Sequence, residues 1–245
     1  MKILLVNDDG IEAEGIWALA RALRPQHEVV IVAPDHQRSG ASHAVTLHGA
    51  IRYAAYDNDL CAAYFLSGTP CDCVKFGLLE LAAGADCVIS GINDCANIGT
   101  DVLYSGTVNA AVEGGIEGVP SIAVSVKVKN NDFAYPAKFV ADNLEALMGL
   151  CKGDLVVSVN MHSSLREELN GVRLASCGVR RFDDYYVKEK DGYHLYGNAI
   201  DVGNDEDSDV VLYYENYVTV TPVRIDMTDR AAMQNWQKAV SKLCW

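Results

Sequence analysis

Hydrophobic positions along the chain fall into short solid runs separated by stretches of helical spacing. Residues 3–6 (Ile-Leu-Leu-Val) are apolar without interruption, the pattern of a strand covered on both faces. A turn at Gly10 follows. Apolar residues then recur at Ile16, Leu19, Ala20 and Leu23, on one helical face, and stop before Pro25. Residues 29–32 form a second solid run, closed by Pro34. Strand, helix, strand in this order predicts a parallel sheet with a crossover helix. After a less regular stretch the alternation returns, with a helix from Thr69-Pro70 to about Leu81, Thr69 as N-cap and Pro70 in the first helical position. A strand at 87–89, a helix at about 107–114, a strand at 122–124, a helix at about 136–150 and a strand at 155–159 complete the series.

Beyond about Asn160 the pattern changes. Residues 172–175 and 213–221 read as strands with an acidic, Gly-containing stretch between them, and a last helix spans about 229–243. The expected architecture is therefore α/β. Residues 1–160 form a Rossmann-like, mostly parallel sheet flanked by helices, and residues 161–245 an appended β-rich C-terminal lobe and oligomerisation arm. Ligands of such sheets bind beyond the carboxyl ends of the strands. Residues 7–9, 35–39 and 90–93 all follow predicted strands, so three polar clusters are expected at one edge.

Composition narrows the function. Half of the 245 residues are apolar, enough for a substantial core, and the formal net charge is −13. Such a surface argues against nucleic-acid polymers, whose binding relies on Lys and Arg neutralising phosphates. The eight cysteines include no CxxC pair, and many stand in apolar context, so reduced thiols and a cytoplasmic location are expected. The opening apolar run stops at Asn7, too soon for a signal-peptide core. No apolar run of about 18 residues occurs, so no membrane span is expected.

Adjacent Asp8 and Asp9 at a strand end are the strongest chemical clue. Two carboxylates about 4 Å apart repel by roughly 4 kcal/mol at an effective dielectric of 20. A hard divalent cation reverses that penalty, although Asn-Asp-Asp-Gly is equally good turn chemistry. Residues 34–43 (PDHQRSGASH) gather hydroxyls, one Arg and two His, as a metal- or phosphate-contacting loop does and as an ordinary polar loop does. Ser90-Gly91-Ile92-Asn93 is a second Gly-bearing loop. Ser105-Gly106-Thr107 opens a helix, where free backbone N–H groups and hydroxyls suit a phosphate, or where Ser is a plain N-cap. There is no GxGxxG after the first strand, no GxxxxGK[ST] and no GxSxG, which disfavours dinucleotide, P-loop and nucleophile-elbow chemistry. The run 205–209 (DEDSD) misses the Gly and final Glu of an EF-hand and reads as a solvated acidic loop. The six histidines show no HExxH-like spacing.

Six segments, in order, resemble the SurE survival-protein family: KILLVNDDGIEAEGI from Lys2, VIVAPDHQRSGASHAVTL from Val30, SGTPCDCV from Ser67, VISGIN from Val88, NIGTDVLYSGTVNAAVEG from Asn97 and YVTVTPVRIDMT from Tyr217. The resemblance implies a metal-dependent phosphatase of nucleoside 5′- or 3′-monophosphates, with exopolyphosphatase activity in some members. It implies one divalent cation per subunit, Mg²⁺ or Mn²⁺, held by Asp8, Asp9, Ser39 and Asn93. Asn97, Ser105, Gly106 and Thr107 would line the phosphate site, and the assembly would be a homodimer or homotetramer with exchanged C-terminal elements. The candidates for proton transfer are Asp8 or Asp9 as base and His43 as donor. A cation also answers how so acidic a chain receives an anionic substrate. One position departs from the family pattern: Cys95 stands where a glycine is usual, which costs strain if that residue needs a positive φ. The alternative reading is a nucleotide-binding regulatory module with weak turnover.

Overall fold

The computed structural model describes residues 1–243, and Cys244 lies outside them. Nine strands form one sheet in the order β3-β4-β2-β1-β5-β6-β7-β11-β8, and β9 and β10 form a separate two-stranded sheet. The central strands β4 (Ala62–Leu66), β2 (Glu28–Pro34), β1 (Lys2–Val6), β5 (Cys87–Asn93), β6 (Ser121–Val126) and β7 (Leu155–Met161) are mutually parallel. At the edges, β3 (Tyr53–Ala55) runs antiparallel to β4, and β11 (Val218–Arg224) antiparallel to β7 with β8 (Val172–Leu174) parallel to it. This is the mostly parallel α/β fold that the hydrophobic runs predict.

Both faces of the sheet are covered, which is why the central strands read as unbroken apolar runs. Alternate residues of β1 enter opposite cores. Ile3 and Leu5 pack with residues of α1 (Glu14–Leu23) and α4 (Ala134–Leu150), including Leu19 and Leu144. Leu4 and Val6 pack with Val74 of α2 (Pro70–Phe76) and Ala110 of α3 (Gly106–Ile116). The chain winds leftward from β1 to β2 and β4, then returns to place β5, β6 and β7 on the other side. The switch point therefore falls between β1 and β5, where this class of sheet opens a crevice.

Local chemistry fixes several boundaries. Thr69 caps α2 as expected, and Asp72 completes a capping box by accepting from the Thr69 backbone. The predicted helix to Leu81 is α2 followed directly by one π-helical turn at Gly77–Leu81. Asp229 caps α6 (Arg230–Val240).

Three expectations are corrected. The stretch between Asp35 and Thr69 holds the edge strand β3 and its inner neighbour β4. Residues 176–212 contain a long hairpin, β9 (Arg181–Glu189) and β10 (Gly192–Ile200), exposed at every residue. Tyr213 belongs not to a strand but to the short helix α5 (Asp209–Tyr214), begun by the Ser208 cap, and the strand starts only at Val218. Among the described residues, no helix is long and apolar enough to cross a membrane.

Candidate functional site

The carboxyl ends of β1 and β5 and the start of α3 enclose a cleft of about 420 Å³. Asp8, Asp9, Gln37, Ser39, Asn93, Asp94, Asn97, Asp101, Tyr104 and Ser105 line it. The four residues expected to hold a cation share this cleft, and so do Asn97 and Ser105. Among the described residues that line it there is no lysine or arginine.

The Asn7-Asp8-Asp9-Gly10 turn is closed by its own side chain: Asn7 Oδ1 accepts from Gly10 N at 3.1 Å and Asn7 Nδ2 donates to Gly10 O at 2.9 Å. Both readings of this tetrapeptide thus hold together, since the turn is what aims the carboxylates. Asp8 is buried, and its Oδ1 accepts from the Thr107 hydroxyl at 2.6 Å. Burial raises its pKa, while hydrogen bonds from Thr107 and from the backbone at the start of α3 pull it down. Burial, the charge of Asp8 and the charge of Asp94 raise Asp9 to about 6, against hydrogen bonds that lower it. Two crowded carboxylates disfavoured as anions are the donor set that a hard divalent cation stabilises. The donors fit: Ser39 offers a hydroxyl, and Asn93 is oriented by donating its amide nitrogen to the Cys95 carbonyl at 2.7 Å, which reserves its oxygen.

Gly106 and Thr107 stand one layer behind the cleft. A Cβ on Gly106 would lie 2.8 Å from the Asp8 Cβ, so only glycine lets α3 start this close to β1. Ser105 caps α3 by accepting from Val108 N at 3.1 Å, which leaves its hydroxyl hydrogen for a ligand. Asn97 is held from outside the sequence motifs. Asn160 Oδ1 accepts its backbone N–H at 2.8 Å and Ser125 Oγ its side-chain N–H at 2.8 Å. These positioning residues carry no motif of their own. Only their place at the ends of β6 and β7 marks them.

His43 does not line the cleft. Its Nε2 faces Glu113 Oε2 at 2.5 Å, and Lys75 holds the other oxygen of that carboxylate at 2.6 Å. Cys95 does not adopt a positive φ, so the residue at the usual glycine position carries no left-handed strain. The acidic run is not uniformly solvated. Asp209 is buried and accepts from Gly99 N at 3.0 Å and Gly178 N at 2.9 Å, tying the lobe to the cleft's far wall.

Comparison with known proteins identifies the family. Residues 3–184 match the model of the family described as Survival protein SurE. A Clostridium beijerinckii protein named 5′-nucleotidase SurE is 39% identical, over 99% of this chain and 100% of its own length. One of the same name from Pelotomaculum thermopropionicum is 40% identical, over 97% and 95% respectively. The crystal structure of the SurE protein from Aquifex aeolicus superposes with a TM-score of 0.83 at 32% identity, covering 98% of this chain and 100% of that one. From its sheet and its cleft to its relatives, the chain belongs to the SurE survival-protein family.

Proposed function

We infer that the chain is a 5′-nucleotidase, a metal-dependent phosphomonoesterase that hydrolyses nucleoside 5′-monophosphates, and 3′-monophosphates beside them, to nucleoside and phosphate. The observation that carries this reading is the charge of the cleft. Asp8, Asp9 and Asp94 line it with no basic side chain among the lining residues, and Arg180 is already taken up by Asp101, so a phosphate dianion is repelled unless a cation sits between. Bound by Asp8, Asp9, Ser39 and Asn93, Mg²⁺ or Mn²⁺ would neutralise a phosphoryl oxygen and make water a better nucleophile. Asp8 is fixed by Thr107 and the start of α3, and Asp9, the more exposed of the two, is the carboxylate within reach of water. Ser105 and Asn97 orient the phosphate oxygens, with Gly106 and Thr107 acting through Asp8. Tyr104, exposed at the rim, offers a ring to the base. His43 takes no step in this scheme because Glu113 holds its Nε2. The same site accepts the terminal phosphate of polyphosphate, whose chemistry differs only in the leaving group.

The assembly is a homodimer or homotetramer, with residues 1–160 as the catalytic unit; of the remainder, β8 and β11 extend the same sheet and the β9–β10 hairpin is the arm that joins copies. Its support is the hairpin, since an isolated two-stranded ribbon exposed on both faces is marginal without a partner. Free cysteines fit a reducing cytoplasm.

Phosphate release from 5′- and 3′-mononucleotides and from polyphosphate, with Mg²⁺, Mn²⁺ or EDTA, tests the reading. Turnover is expected only with metal, and Asp9→Asn is expected to lower it at least about 100-fold. The same change relieves the repulsion at Asp8, so the metal-free thermal midpoint should not fall. Undiminished turnover in EDTA would overturn the metal assignment. Nucleotide binding without release would instead point to a regulatory module.

A further inference from the structure

A second group of ligating atoms lies behind the loop that carries Ser39. His43 sits four residues beyond Ser39, Cys71 is the second residue of α2, and Glu113 comes from α3. The His43 ring nitrogen, the Cys71 sulfur and a Glu113 carboxylate oxygen all lie within 4.8 Å of one another. Glu113 divides its two oxygens. Oε1 takes Lys75 Nζ at 2.6 Å, and Oε2 faces His43. The Cys71 and Glu113 side chains are buried, while His43 is 31% exposed and opens the group to solvent.

We propose that His43, Cys71 and Glu113 form a second metal site, for a thiophilic divalent ion of the zinc class, separate from the Asp8–Asp9 cleft. One imidazole, one thiolate and one carboxylate are the ligand types that select zinc over Mg²⁺ or Mn²⁺, and three protein ligands leave a position for water. Ligand atoms around a tetrahedral zinc stand roughly 3–4 Å apart, so the His43–Glu113 contact at 2.5 Å must open by about 1 Å, while Cys71 already lies within 4.8 Å of both partners. Lys75 need not leave. It stays on Oε1, braced by Glu117 at 2.6 Å, and orients the carboxylate from outside. Charge balances as well: the ion's two positive charges meet one thiolate and one carboxylate.

Without metal the thiol is protonated, because burial and the charges of Glu113 and Asp72 push it up to about 12. As the metal–sulfur bond forms, the S–H bond breaks and its proton passes to solvent, one per ion bound. The bound ion ties the Ser39 loop to α2 and α3, so loading stiffens one wall of the cleft without entering it.

The test uses the full chain with Cys95→Ala, which removes the thiol beside the cleft, stripped of metal and titrated with Co²⁺. One equivalent should develop a thiolate-to-cobalt charge-transfer band, lost again when one equivalent of Zn²⁺ is added. Asp9→Asn should leave the band intact, Cys71→Ser should abolish it, and His43→Gln should weaken Co²⁺ binding at least about tenfold. Absence of the band, or its survival in Cys71→Ser, overturns the proposal. Should Cys71→Ser fail to fold by circular dichroism, His43→Gln decides, and unchanged affinity there overturns it equally.

Discussion

At the scale of single residues, the site depends on how the Asp8 carboxyl is held in a buried place, where burial raises its pKa and hydrogen bonds offset part of that rise. The Thr107 hydroxyl donates to it at 2.6 Å, and Gly106 lets the helix start come close enough to contribute its N–H groups. Thr107→Val keeps the shape and deletes the donor. It is expected to cost about 1–3 kcal/mol of stability, read from urea unfolding, and to raise the metal concentration needed for half-maximal turnover. A fall in turnover at saturating metal with no change in that concentration would mean that Thr107 acts on substrate rather than through Asp8.

Elements differ in how openly the sequence announces them. Strands β1, β2, β5, β6 and β7 are legible because helices cover both their faces, which leaves solid apolar runs. The hairpin is not legible. Every residue of β9 and β10 is exposed, so no alternation records a buried side. Helix α5 hides for another reason: residues 211–214 (Val-Leu-Tyr-Tyr) look strand-like, and only the Ser208 cap, accepting from Val211 N at 3.2 Å, turns them into a helix. The motifs bring Asp8, Asp9, Ser39 and Asn93 together in sequence reading as in space. Asn160, Ser125 and Asp209 escape it, because a lone polar residue in a strand or an acidic run carries no signal of the N–H it accepts. Asp209→Ala would leave the Gly99 and Gly178 amides unpaired. It is expected to cost about 2–4 kcal/mol in denaturant unfolding and to speed hydrogen exchange at Gly99.

Ahead of α6, Asp226 is bonded by Thr228 and Arg230, which hold its pKa down at about 2 against the ordinary 3.8. A depressed folded value means that the stabilisation is present above the ordinary pKa and disappears as pH falls from about 4 through about 2. An NMR titration of the Asp226 carboxyl should show that midpoint, with the Thr228 amide shift following it.

For the molecule as a whole, cleft and ribbon are mechanically joined. Arg180, just before β9, pairs with Asp101 on the cleft wall, and its backbone N–H donates to the Thr100 hydroxyl at 3.1 Å. Tyr186 and Leu195 face each other across the hairpin, both exposed. If the hairpin joins copies as proposed, replacing both by Asp is expected to give monomers in sedimentation velocity, with the fold intact by circular dichroism. Since the ribbon's base leans on residues 99–101, turnover should fall along with mass.

The thiols have a practical consequence. Cys71, Cys73 and Cys87 are buried, whereas Cys95 is exposed and lines the cleft beside Asp94. An alkylating reagent should therefore mark Cys95 well before the core cysteines, and an occupied cleft should slow it. Cys177 is exposed as well, so the gauge is read at the Cys95 peptide by mass mapping, even for a ligand the chain never turns over.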